Sequence, residues 1–129
     1  MNREPWTVDR GPWTVYNINA MSVHRWNASV DGAFTESALR GKLESLGYRV
    51  ARYVYAPGTV FPDHRHDLDK ADAVVAGRFR LIIGGHVAVV RAGEWVLIPA
   101  GVMHSAAVIG DEPVIALDGI KLDPFGSAA

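Results

Sequence analysis

From Arg49 onward the chain is a succession of short apolar runs cut by glycine- and proline-bearing turns. Val50 to Ala56 stops at Pro57-Gly58. Asp72 to Ala76 and Phe79 to Ile83 flank Gly77, and Gly84-Gly85 marks a tight hairpin before Val87 to Arg91. Trp95 to Ile98 and Met103 to Ile109 follow, then the turn Gly110-Asp111-Glu112-Pro113 and a last run, Val114 to Leu117. Strands this short, separated by turn signals every ~8–12 residues, fold as an all-β sandwich or barrel. Beyond Leu117 the pattern fades into a polar tail.

One helix precedes this region, within residues 33–47. Thr35 can cap it, Glu36 suits its first turn and Gly47 can end it. Leu39, Leu43 and Leu46 fall at i, i+4 and i+7, one apolar stripe suited to packing on the outside of a barrel. Phe34 can staple the chain where it enters the helix. Residues 1–32 form an N-terminal arm. In it Pro5-Trp6-Thr7-Val8 recurs as Pro12-Trp13-Thr14-Val15, either a small hairpin or a chance repeat, and Trp13 to Ile18 alternates enough for a strand. Trp6, Trp13 and Trp26 carry large apolar surfaces that must cap a barrel end or pack on a second subunit. No linker divides the chain, so residues 1–129 read as one domain, with the barrel over 48–122 and a tail over 123–129.

The chemistry concentrates between Gly58 and Gly77. His64 and His66 are separated by one residue in a strand-like context, so their side chains can share a face, about 6–7 Å apart at the backbone. Two imidazoles so placed can grip one metal ion. A second stretch, Gly93 to His104, brings a third histidine after an apolar strand and the Pro99-Ala100-Gly101 turn. His86 adjoins a hairpin turn and reads as a solvated tip. His24 has no partner at motif spacing.

These two stretches resemble the paired signature motifs of the cupin superfamily. Gly58, His64, His66 and Gly77 fall on the first motif, and Gly93, Pro99, Gly101 and His104 on the second, all in register. Two positions depart: Lys70 stands where the family usually has a glutamate ligand, and Val108 where it often has asparagine. The resemblance implies a double-stranded β-helix, the jelly-roll barrel with an open interior. It implies that His64 and His66 point inward and that His104 joins them from a facing strand, holding one divalent metal ion such as Fe, Zn, Mn or Ni. It also favours a homodimer built with N-terminal strands.

Lys70 changes the chemistry of that site. A protonated lysine has three donors and no lone pair, so it is no ligand. Three arrangements remain open: a three-histidine site, a site in which Asp67 or Asp69 supplies the missing carboxylate, or histidines that bind no metal tightly. Asp72 lies two residues beyond Lys70 on the same strand face and is the expected ion-pair partner. The pair reads either as structural or as catalytic, with Lys70 binding or protonating an anionic oxygen and Asp72 orienting it. Arg78 and Arg80 read as solvated rim charges.

Composition narrows the function. A formal charge of −1 supplies no positive field for nucleic acid or an anionic membrane. The absence of cysteine excludes disulfides and thiolate ligands, leaving nitrogen and oxygen donors. No apolar run reaches the ~18 residues of a membrane span, and the N-terminus lacks an apolar export segment, so a cytoplasmic protein is expected. The expected activity is metal-dependent chemistry on a small oxygen-chelating substrate, dioxygenase-like or of the isomerase, cyclase or lyase kind. The alternative is a non-catalytic ligand-binding or sensing barrel.

Overall fold

The computed structural model describes residues 23–122. The repeated Pro-Trp-Thr-Val segments, the strand expected over 13–18, Trp6, Trp13 and the tail over 123–129 lie outside these residues. Nine strands and two helices follow in the order β1 (Val23–Arg25), α1 (Ala28–Asp31), α2 (Glu36–Ser45), β2 (Tyr48–Tyr55), β3 (Val60–His64), β4 (Lys70–Ala76), β5 (Arg78–Ile83), β6 (His86–Arg91), β7 (Glu94–Ile98), β8 (His104–Ile109) and β9 (Val114–Lys121). They form a five-stranded sheet, β1-β7-β4-β9-β2, and a four-stranded sheet, β3-β8-β5-β6. The paired strands are antiparallel, in a jelly-roll barrel.

The core has two layers, and strand alternation assigns residues to each. Val74, Val96, Val114 and Ala116 of one sheet meet Leu81, Val90 and Ala106 of the other inside the barrel. The opposite face of the larger sheet, with Ala71, Ala73, Trp95 and Leu117, packs under Leu39 and Leu43 of α2. Both leucines are fully buried, worth about 1.5–3 kcal/mol each relative to exposure. Small side chains at positions 71 and 73, and none at 119, let the helix-side layer come close: a Cβ on Gly119 would lie 3.1 Å from Tyr48.

Thr35 caps α2 as expected, its hydroxyl accepting from the Ala38 N–H at 3.0 Å. Leu46 departs from the expected stripe. It is the C-cap, 41% exposed, because the chain turns there into Gly47 at φ 96°. Phe34 packs edge-on against Trp26, and the Trp26 indole N–H donates to the Gly32 carbonyl. Trp26 thus finds its surface within its own chain. The short α1, capped by Asn27, has no sequence signal because four residues carry no helical period. The last strand runs four residues past Leu117, to Lys121, so Asp118 belongs to the barrel and not to a polar tail.

Gly77 shows why a motif glycine is needed. It sits at φ 86°, and an added Cβ would stand 2.4 Å from the Pro113 carbonyl oxygen. Both the left-handed backbone and the close approach exclude a side chain. No helix among the described residues is long and apolar enough to cross a membrane.

Candidate metal centre and its cavity

The three histidines converge, by a different route from a single strand. β3 pairs with β8 as Phe61↔Ala106 and His64↔His104, so three steps on β3 match two on β8. The extra residue is a bulge beside Pro62, which has no N–H to give the ladder. The bulge resets the alternation, and Phe61 and His64, three apart, both line the cavity. His66 lies beyond the strand end, in the connection to β4. His104 opens β8 on the strand next to His64, rather than facing it from across the barrel.

Backbone contacts join the two motifs. The Gly101 N–H donates to the His66 carbonyl at 2.8 Å, and the Ala100 N–H to Asp69 Oδ1 at 2.7 Å. Gly101 itself adopts φ 81°, which turns its N–H toward the first motif. Asp69 therefore holds the turn that precedes His104. Asp67 is exposed, and neither aspartate joins the histidine cluster. Of the three arrangements left open by the sequence, the one with a carboxylate from Asp67 or Asp69 finds no support in this cluster.

One nitrogen from each of His64, His66 and His104 lies within 4.8 Å of the others. His64 Nδ1 lies 2.7 Å from the Pro62 carbonyl, and His104 Nδ1 lies 2.9 Å from the Val102 carbonyl. A carbonyl only accepts, so Nδ1 carries the hydrogen in both rings, and in the neutral form of each ring the lone pair is left on Nε2. This is the orientation that metal-binding imidazoles require. Burial, aided by the Lys70 charge and the neighbouring rings, holds the His66 pKa below its ordinary value; burial does the same at His104, against the pull of the Val102 carbonyl. Neutral rings are what a metal needs. Two nitrogens on one ion stand no more than about 4.2 Å apart, so closing the cluster takes only small side-chain rotations.

Lys70 is buried beside these rings, as expected, but its partner is Asp118 of β9. Lys70 stands opposite Ile120 and Asp72 opposite Asp118, so Asp118 is the diagonal neighbour across the ladder. Side chains two apart on one strand stand roughly parallel, about 7 Å apart, whereas a long side chain lying across the ladder meets the diagonal residue. Hence the expected Lys70–Asp72 pair is replaced by Lys70–Asp118. Asp72 remains close: burial and the Asp118 charge raise its pKa to about 6, against the opposing pull of Lys70 and His64.

The sequence does not flag Asp118, because the last apolar run, from Val114, ends at Leu117. The alternation of Val114 and Ala116 continues through position 118 to Ile120, which puts Asp118 on the inner face. Tyr55 is not flagged either. Its ring lines the cavity, and burial with the charges of Asp118, Asp72 and Tyr53 pushes its pKa far up, so its hydroxyl stays a donor. Arg78 and Arg80 are exposed, as expected of rim charges. His86 is half-buried with Nδ1 shielded, not a solvated tip, because β6 begins with it and pairs it to Ile83. His24 stacks on Trp95 at 5.5 Å, away from the cluster.

An antiparallel jelly-roll barrel with a histidine cluster inside is the architecture of a metal-binding cupin. The sequence model of the Cupin domain matches residues 51–120, over half the chain, and the chain belongs to that family. No curated protein matches its sequence. Among solved structures it is similar to the cupin domain of Schizosaccharomyces pombe Cnp3, with 14% identity, a TM-score of 0.56 and coverage of 61% of this chain and 58% of that one. An RmlC-like cupin from Shewanella frigidimarina gives 23% identity and a TM-score of 0.52, covering 57% and 65%. Oxalate decarboxylase of Bacillus subtilis gives 25% identity and a TM-score of 0.51, covering 58% of this chain but 22% of that enzyme. The chain thus spans less than two thirds of each of these relatives.

Proposed function

We propose that this cupin is a mononuclear enzyme that binds one divalent metal through His64, His66 and His104 and acts on a small oxygen-chelating substrate. The observation that carries this is the convergence of three imidazoles, two with Nε2 left free by their carbonyl contacts, in a cavity of about 210 Å³. A three-nitrogen set leaves coordination positions for substrate oxygens and suits Fe, Zn, Mn or Ni. The Bacillus subtilis relative holds Mn(II) centres. When bound, such an ion supplies Lewis-acid polarisation of a substrate oxygen.

The chain's own residues supply the rest. Lys70 uses one ammonium hydrogen on Asp118 and keeps two for an anionic oxygen of the substrate. Asp72, with its pKa raised to about 6, is suited to accept or return a proton near neutral pH. The family's usual glutamate ligand is absent here, which favours substrate rather than protein oxygen filling the remaining positions. The same absence favours the second reading, a barrel that binds its ligand without turning it over.

Elemental analysis of purified wild type and His64→Ala tests the metal. Near-stoichiometric metal in the first and its loss in the second are expected; equal metal in both would remove the reading. Turnover of substrates that chelate through two oxygens, with none by Lys70→Met or Asp72→Asn, separates the enzyme from the binding barrel.

A further inference from the structure

We infer that the cavity selects a two-ended small molecule, with an oxygen-bearing polar head and a compact apolar body of aryl kind; only the head depends on the histidines being a metal centre. Strand register sorts the cavity lining into tiers. His64 faces His104 across one ladder, and Asp72 faces Asp118 across another. One inward position further along the same strands, Phe61 faces Ala106 and Ala106 faces Leu81, while Val74 faces Ala116. A further position on, Tyr55 faces Val114 and Phe79 faces Val108. Apart from the Tyr55 hydroxyl, which feels the Asp118 and Asp72 charges, polar and apolar groups therefore occupy opposite ends of one space.

The apolar end is open because two of its positions are alanine. Ala106 and Ala116 line the cavity, while Leu81 and Val74 of the same tier are fully buried. Its walls are preset. The Tyr55 and Phe61 rings meet edge-on at 4.8 Å, and Phe61 and Phe79 at 6.2 Å, so each ring holds the next. At about 210 Å³ the cavity is smaller than the roughly 300–1,000 Å³ of ordinary ligand pockets, which limits the body to about one ring. An all-polar dianion would leave the aromatic end unfilled. A purely apolar molecule would strip water from Lys70 and the carboxylates without replacing it.

The test uses two acids with the same 2-oxo acid head, pyruvate and benzoylformate, which differ as methyl against phenyl. Each is titrated calorimetrically into the metal-loaded protein. Benzoylformate is expected to bind at least about tenfold more tightly. Ala106→Leu, which fills the middle tier, should remove that advantage while metal affinity stays within about twofold; Ala116→Val is the milder variant should the first fail to fold. Equal binding of the two acids, or binding of neither, overturns the inference. Metal content is measured first on the same sample, so a metal-free protein counts against the metal centre alone. The neutral probe acetophenone then reads the apolar end by itself: binding abolished by the alanine variants supports the inference, and no binding overturns it.

Discussion

The ammonium of Lys70 on β4 is held by the carboxylate of Asp118 on β9, its diagonal neighbour across the ladder. Lysine's side chain is 9% exposed and aspartate's 24%, so the pair sits at the barrel interior's edge rather than on its surface. Removing one partner from such a pair strands the other charge, whereas replacing it by apolar volume can be neutral. Asp118→Ala is therefore expected to destabilise the protein by about 2–3 kcal/mol, softened by the nearby Asp72. Lys70→Met with Asp118→Ala should recover most of the loss. Urea unfolding of the wild type, both single variants and the double variant measures the coupling; additive effects would show that the pair contributes nothing of its own.

Lys70→Glu places a carboxylate beside the three imidazoles and also beside Asp72 and Asp118. The variant should bind divalent metal at least about tenfold more tightly, by calorimetry. Its metal-free form should melt below the wild type, since three acidic groups then crowd one wall. Metal should raise its melting temperature more than that of the wild type. Unchanged metal affinity would mean that position 70 does not face the ion.

Asp72 makes the metal-free protein's stability depend on pH. Its pKa rises from 3.8 to about 6 on folding, so the folded state keeps a proton that the unfolded chain has already released. That difference stabilises the fold at low pH and is lost as pH climbs from about 4 to 6. Above that window the ionised carboxylate is a fixed penalty, on the order of 3 kcal/mol. Asp72→Asn has no such proton to lose. It should be more stable than the wild type by about that amount at pH 8 and equal to it at pH 4. Thermal melts at the two pH values decide it, and an equal gain at both would assign the effect to packing.

Gly77→Ala should lower stability by more than about 2 kcal/mol, because it combines a left-handed backbone with a clash against main chain. At Gly58, also at positive φ but with open space around an added Cβ, the same change should cost about 1 kcal/mol. Chemical denaturation of both variants checks the order, which is set by Pro113 and not by φ.

Much of the barrel was legible in the chain itself. Turn residues and period-two alternation located seven of the strands, because these signals are local: a glycine at positive φ or a proline acts on its own backbone wherever the fold places it. The histidines His64, His66 and His104 were legible from their spacing to the motif glycines and Pro99, although a bulge rather than one straight strand brings them together. What tertiary structure decided was partnership. Lys70 carries no mark that says Asp118 rather than Asp72, since 48 residues separate the pair and only the β4–β9 register brings them together. The bulge at Pro62, the link between Asp69 and Ala100, and the tiers that set His104 against Phe61 and Tyr55 are likewise properties of register. Register is set by the summed burial of both barrel faces, a quantity that no single stretch of sequence contains.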